Sequence, residues 1–532
     1  MVKKLKMKKL AVLLDRRWNG GVSTHSIGLL LSVLALKKLI EERYGKTEVE
    51  LYFITQEGDF SKFYKGDFEQ LYEKYLEGNI KEIIKYITNN IYKKPSNKIS
   101  LDRLIDELSR DDIDFKIFGN LGSFLFNSLG EKHNLDKILN RGNFVISAHS
   151  EFAGDLLTDM YEAMVLNPYA SKYVSIEVRK KIEDLFKRRL KKGYTDEYVA
   201  KEVIGILNDL LYENDIDSII FNVKKGFLED EVKKYINLMS KLKEGYTIFP
   251  TYILYEQTNN LLKSLNNFGF NLFIRNPIVM HEPIYMVTLE RAYSEEVNIY
   301  KESYKEIYKD TDKIWLLYSG RISLERGSNE LLKLYEDLIK EGKKVGLIVI
   351  SDNIDEDSEF YKKILELANK YKGVEVHLYG KGFGNSLHED PLYYIGLLKS
   401  LGELKNTIYI NPTYLESYGL ATLEALIFGN LITIYRDISG LRELKENGYL
   451  NYKLSFKDYQ ELKDKIIKVI EDIKNGKYDS YINKDIIEEL KKEVDPEKIA
   501  EKYAEIIYRY LESESTEKEI VGNKNEEVLA VT

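Results

Sequence analysis

Short, continuous apolar runs separated by stretches of helical period recur along this chain, and that alternation leaves few folds open. The runs are too short for helices and lack the polar alternation of a half-solvated strand, so they read as strands covered on both faces. Such strands need helices above and below, as in a mostly parallel, doubly wound sheet. In the first half the runs are Lys9 to Leu14, Val49 to Ile54, Phe115 to Phe118, Phe144 to Ser147, Ser218 to Asn222, Tyr246 to Phe249 and Asn271 to Ile274. A second series follows the charged helical segment from about Glu290 to Lys309. Its runs are Lys313 to Ser319, Lys344 to Ser351, Val374 to Tyr379, Thr407 to Asn411 and Leu431 to Tyr435. Two series imply two domains, as a length of 532 residues also favours.

The expected organisation is α/β, with one Rossmann-like domain over residues 1–295 and a second over 296–495. A loop containing Gly20-Gly21 follows the first run and leads into a helix from about Ser23 to Leu39. Residues 58–112 are charged and Tyr-rich and are expected to form a helical insertion. Asp495-Pro496 pairs a capping side chain with a first-turn proline, which predicts a helix over 496–512. The polar, acidic remainder, 513–532, carries no sustained period and is expected to be disordered.

Charge narrows the partners. The 79 basic and 87 acidic residues nearly cancel at −8, which argues against nucleic acid. One basic run, Lys3 to Lys9, could meet an anionic membrane surface at the inner face, or simply solubilise the start of the first strand; its shortness favours the second reading. No run reaches the length of a membrane span, so the cytoplasm is the expected compartment. The chain has no cysteine, which excludes disulfides, thiol nucleophiles and Cys-ligated metals. Abundant Lys and Glu suit a thermophilic source, although an AT-rich genome gives a similar bias.

Two segments carry chemistry. In Ile410-Asn-Pro-Thr-Tyr-Leu-Glu416-Ser-Tyr-Gly419-Leu420-Ala421-Thr-Leu-Glu424-Ala a strand runs into a loop and Gly419 opens an apolar helix. Glycine lets backbone approach a ligand, and a helix N-terminus offers N–H groups and a positive dipole end to phosphate. Glu424 lies about one turn inside that helix, and Glu416 reaches the same place from the loop. A capped helix with two solvated carboxylates would look similar, so this segment alone decides nothing. The second segment is Trp315-Leu-Leu-Tyr-Ser-Gly320-Arg321-Ile-Ser-Leu-Glu325-Arg326-Gly327. It sets two arginines at the end of the first strand of its domain, where they could clamp a diphosphate. Surface salt bridges are the plainer reading of each arginine. Chance accounts poorly for both segments in this order within one α/β domain.

Gly-Arg…Glu-Arg-Gly followed by Pro-x3-Glu-x-x-Gly-Leu-x3-Glu-Ala resembles the retaining glycosyltransferases of family 4, which have the two-domain GT-B fold. The family's pair of glutamates with seven residues between them is met by Glu416 and Glu424. The resemblance implies that Glu416 meets the transferred sugar and Glu424 the ribose of the nucleotide. It also implies that Arg321 and Arg326 hold the donor phosphates, Arg326 standing where a lysine is usual, with Gly419, Leu420 and Ala421 supplying the helix end. In the first half, Trp18-Asn-Gly20-Gly21-Val-Ser-Thr-His25 is similar to the family's Gly-Gly loop on the acceptor or phosphate side. Phe144-Val-Ile-Ser-Ala-His149 is similar to a strand ending in a sugar-facing His, with Ser147 replacing the first His of a common His-x-His. The family's last helix crosses back to the first domain, which suits 496–512.

The resemblance thus implies metal-independent transfer from a nucleotide sugar, UDP- or GDP-linked, to a carbohydrate, lipid-linked or protein acceptor, with no cofactor. Asp-x-Asp pairs at Asp112/Asp114, Asp215/Asp217, Asp310/Asp312 and Asp355/Asp357 are expected by chance in so acidic a chain. Two alternatives stay open: an inert GT-B protein acting as a binding or assembly partner, and a sugar phosphorylase or nucleotide-sugar hydrolase.

Overall fold

The computed structural model describes residues 7–15, 21–55, 58–87, 97–121, 124, 128–148, 176–192, 202–203, 205–206, 237–266, 271–310, 312–323, 326–383, 387, 390–414, 416 and 418–529. Its strands form two sheets. The first holds β1 (Lys9–Asp15), β2 (Glu48–Ile54), β3 (Phe60–Lys62), β4 (Lys98–Ile99), β5 (Phe115–Phe118), β6 (Phe144–Ser147), β7 (Tyr246–Phe249) and β8 (Asn276–Val279). The second holds β9 (Ile314–Ser319), β10 (Val345–Ile350), β11 (Val376–Tyr379), β12 (Thr407–Asn411), β13 (Ile432–Arg436) and β14 (Ser455–Phe456).

Both sheets are covered on two faces, and β1 shows why. Leu10, Val12 and Leu14 enter one apolar cluster while Ala11 and Leu13 enter another on the opposite side. A strand puts alternate side chains on opposite faces, so a two-sided core requires an unbroken apolar run. In the second sheet the order is β11-β10-β9-β12-β13-β14, with every pair parallel. The chain therefore reverses direction of growth between β9 and β12, and a crevice opens at the carboxyl ends of those two strands. The first sheet has the corresponding reversal between β1's neighbours β2 and β5.

Three expectations change here. Residues 58–112 are not wholly helical: β3 and β4 pair antiparallel beyond β2 and widen the first sheet. Two or three residues are too few to register a period. The run Asn271 to Ile274 forms no strand; pairing with β7 begins at Asn276, and Pro277 is tolerated because β8 is an edge. The last helix does not stop near Leu511 but runs from Pro496 to Leu529, over a stretch whose Glu and Lys residues are good helix formers. The expected strand Ser218 to Asn222 lies outside the described residues. No helix among the described residues is long and apolar enough to cross a membrane.

The domains are joined by two crossing segments. After β8 the chain passes through Met280–Ile284 into helices Tyr285–Ala292 and Ser294–Tyr308, and it returns through Val494 and Asp495. The segments are bonded together, Ile284 N–H donating to the Val494 carbonyl at 2.8 Å. The final helix then lies along the first helix, Gly21–Tyr44. Tyr508 donates to the Leu39 carbonyl at 3.2 Å, and Tyr503 meets Ser147 Oγ at the end of β6 at 3.3 Å. Two doubly wound domains with a returning last helix make up the GT-B arrangement.

Helices Pro391–Leu404 and Leu420–Gly429 pack so closely that a Cβ on Gly402 would stand 1.7 Å from the Gly429 carbonyl oxygen. Gly402→Ala must push backbone against backbone, so a loss of about 2–3 kcal/mol is expected, read as a lower urea midpoint. An unchanged midpoint would show that the helix pair can slide apart.

Candidate functional site

At the carboxyl end of β9, Gly320-Arg321 turns the chain outward. Its backbone is pinned: Tyr318 hydroxyl donates to the Arg321 carbonyl at 2.6 Å. Asn353 accepts from Ile322 N–H at 2.8 Å and donates to the Ile322 carbonyl at 3.0 Å. Arg321 itself is exposed. The loop then meets the one that follows β12. Gly327 has φ of 73°, and a Cβ there would sit 2.5 Å from the Pro412 carbonyl oxygen, so only glycine allows this approach. As a result Arg326 faces Glu416, with Nη1 donating to Oε2 at 2.7 Å. Their side chains are 25% and 17% exposed, so the pair is accessible from the crevice.

Gly419, with φ of 86°, occupies the left-handed region and caps helix Leu420–Gly429. First-turn N–H groups of a helix have no intrahelical acceptor, so Leu420 and Ala421 present theirs at this end. Asn411 holds the helix to β12 by donating to Thr422 Oγ1 at 2.8 Å. One turn in, Glu424 is buried, contrary to a solvated reading. Tyr394 donates to its Oε2 at 3.1 Å, and the same hydroxyl lies 3.2 Å from Ser319 Oγ. Burial pushes the Glu424 carboxyl up to about 8, against the opposing pull of the Tyr394 hydrogen bond. Tyr394 is presented by helix Pro391–Leu404, which starts with Asp390 accepting from Leu392 N–H at 3.1 Å.

The Glu416 loop also touches the first domain. Two residues on, buried Tyr418 meets His281 Nδ1 at 3.0 Å and accepts from Glu282 N–H at 3.2 Å. Burial, reinforced by Lys502, pushes His281 down to about 4, which keeps it neutral near pH 7. Glu282 Oε2 in turn lies 3.7 Å from His25 Nδ1, both side chains buried. His25 sits near the start of helix Gly21–Tyr44, which Gly21 itself begins. A path of contacts thus links the Glu416 loop to the start of the first helix. Gly20 and His149 lie outside the described residues.

The structure therefore brings Arg326 to Glu416, sets Gly419, Leu420 and Ala421 at the helix end, and buries Glu424 and His25. Tyr394, Tyr418, Glu282 and Glu443 carry no signal in the sequence that marks them as part of the site. Tyr418 was visible inside Glu-x-x-Gly, but nothing in the sequence gave its hydroxyl a partner. The aspartate pairs do local work. Asp114 accepts from Lys8 and Lys9 N–H at 2.6 and 2.8 Å, while Asp310 and Asp355 accept from the N–H groups of Asp312 and Asp357. Asp215/Asp217 lies outside the described residues. Among those residues no group of three His, Asp or Glu is placed to hold a metal ion.

Residues 300–485 match the family described as glycosyl transferases group 1. No curated protein matches the chain. Among solved structures, HepE of Anabaena in complex with UDP and glucose is 12% identical, over 94% of this chain and 100% of that one, with a TM-score of 0.46. The alpha,alpha-trehalose 6-phosphate synthase of Burkholderia multivorans is 8% identical over 96% and 98%, with a TM-score of 0.49. The catalytic domain of starch synthase IV from Arabidopsis thaliana, bound to ADP and acarbose, is 11% identical over 95% and 100%, with a TM-score of 0.43.

Proposed function

We propose that this chain is a retaining glycosyltransferase of the family 4 type, moving a sugar from a nucleotide-sugar donor to an acceptor in the crevice between its domains. The observation that supports this most is the meeting of Arg326 and Glu416 where the loops after β9 and β12 touch, beside the helix end at Gly419. A diphosphate placed there meets a guanidinium and a helix N-terminus together, with Arg321 on the adjoining turn. The Arg326–Glu416 pair is only partly buried and opens to the crevice, so phosphate can take the guanidinium and release the carboxylate toward the sugar.

In this reading the bond between the sugar's anomeric carbon and the phosphate oxygen breaks first. Negative charge collects on the diphosphate, where Arg321, Arg326 and the helix end stabilise it without need of a metal. The acceptor hydroxyl attacks from the face the leaving group occupied, its oxygen bonds the anomeric carbon, and its proton passes to a phosphate oxygen. Buried Glu424 would take the ribose hydroxyls. UDP and GDP are the donor nucleotides favoured, and a carbohydrate, lipid-linked or protein acceptor is proposed.

Thermal unfolding with UDP, GDP and ADP tests the donor half. A nucleotide at 100 times its Kd adds about 2.7 kcal/mol of apparent stability, so one of the three is expected to raise Tm by several degrees. No shift with any of them, and no turnover of their sugar conjugates, would overturn the reading.

A further inference from the structure

Helix Ser439–Glu446 of the second domain stands beside the Glu416 loop. Gly440 N–H donates to the Glu416 carbonyl at 3.1 Å, and Leu441 packs where a Cβ on Gly419 would stand 2.8 Å away. One turn further on, Glu443 leaves its own domain. Its two carboxylate oxygens accept from Tyr252 N–H at 2.7 Å and from Ile253 N–H at 2.8 Å. Those are the opening residues of helix Tyr252–Asn266, which follows β7 in the first domain. Thr251 Oγ1 caps the same helix locally by accepting from Leu254 N–H at 3.3 Å. The first helix turn is therefore shared: one donor is satisfied within the domain, and two by a carboxylate from across the crevice.

Geometry makes this contact unlike a surface ion pair. Burial pushes the Glu443 carboxyl above the usual range, and Glu446 and Glu256 add repulsion. What opposes that cost is the pair of charge-assisted bonds and the positive end of the helix. A carboxylate held by two backbone donors has a defined distance and direction, whereas a lysine partner would allow it to swing. The other tie near Glu416 is Tyr418 against His281 and Glu282, in the segment where the chain crosses between domains. A contact at the crossing alone leaves the domains free to rotate about it; Glu443 supplies the second point.

We propose that Glu443 is a positioning residue that fixes the gap and angle between the two domains, and with them the placement of Glu416 relative to whatever the first domain binds. The proposal rests on the glycosyltransferase reading only for its kinetic consequence; the fixing of the gap stands on the contact itself. Glu443→Ala removes both acceptors, and Glu443→Gln retains one oxygen while turning an NH2 group toward a backbone donor.

The absence of cysteine makes the test direct. Asp102→Cys and Lys362→Cys, on exposed helix positions of the first and second domains, take spin labels for interdomain distance measurement. A narrow distribution is expected with Glu443 present, a broad one for Glu443→Ala, and an intermediate one for Glu443→Gln. UDP-sugar turnover should show kcat lowered by up to about 100-fold in Glu443→Ala, with UDP affinity kept within about threefold, because the misplaced partner is the other domain. Equal distributions in all three proteins overturn the proposal. Broadening with an unchanged kcat overturns the positioning role. If the parent protein turns over no nucleotide sugar, the distance result still decides the domain contact while the transferase reading fails separately. Loss of the native fold in Glu443→Ala is recognised by circular dichroism, and Glu443→Gln then carries the comparison.

Discussion

Glu416→Ala is expected to abolish sugar transfer while leaving affinity for the free nucleotide unchanged or raised. The two effects have one origin. Glu416 pairs with Arg326 at 2.7 Å, so its carboxylate competes with a diphosphate for the same guanidinium. Removing it frees Arg326 for phosphate. The same change removes the only carboxylate of the β12 loop, the group that would face the donor sugar as positive charge develops at its anomeric carbon. Loss of one such electrostatic contact costs about 100-fold to 1000-fold in kcat. The fold should survive, because the pair is partly solvated and contributes little to stability. Titration with UDP and GDP, alongside turnover of their sugar conjugates, separates the outcomes. Normal transfer would remove Glu416 from the mechanism, and a parallel loss of nucleotide binding would make its role structural.

How much of this site could be read from the sequence depends on distance along the chain. Gly320-Arg321, Arg326-Gly327 and Glu416 to Glu424 each lie within a few residues of a strand end. In a doubly wound sheet strand ends converge, so order and spacing carried the information. That Arg326 bonds Glu416 depends on Gly327 passing within contact of Pro412, 85 positions away, and no local pattern records it. Glu424 could be read as a ligand group or as a solvated carboxylate, and only the packing of helix Pro391–Leu404, which brings Tyr394 against it, shows that it is buried. Glu443 repeats the problem across domains, its acceptors serving residues some 190 positions earlier. The fold was more legible, since unbroken apolar runs announce covered strands. Strands β3 and β4, at one end of the first sheet, escaped because so few residues cannot display a pattern.

The second large effect concerns Glu424. Its carboxyl is buried and pushed up to about 8, well above the usual carboxylate range. A carboxyl whose pKa is higher folded than unfolded binds more protons in the native state, so stability falls as pH rises from about 4.5 to 8 and the loss is complete above that. Glu424→Gln keeps the shape without the charge. Its unfolding free energy should therefore exceed that of the parent at pH 8–9 by an amount on the order of 4–5 kcal/mol, and come close to it near pH 5. Above pH 8, where Glu424 is ionised, the stabilised protein should bind nucleotide more weakly, because an amide accepts from two ribose hydroxyls less well than a carboxylate does. Denaturation at several pH values, with UDP titration of both proteins, checks the pair of effects. A difference that does not grow with pH would show that Glu424 is ionised in the native state at neutral pH.

The returning helix bears on how the chain comes to be folded. Leu39 waits for Tyr508, 469 residues later in synthesis. At about 5–20 residues per second, that leaves the first helix without its cover for roughly half a minute to a minute and a half. The opening domain is thus the first to be made and among the last to be finished. During that interval its apolar helix face is a binding surface for chaperones or for another nascent chain, and rapid synthesis or early chaperone capture should raise the yield of native protein.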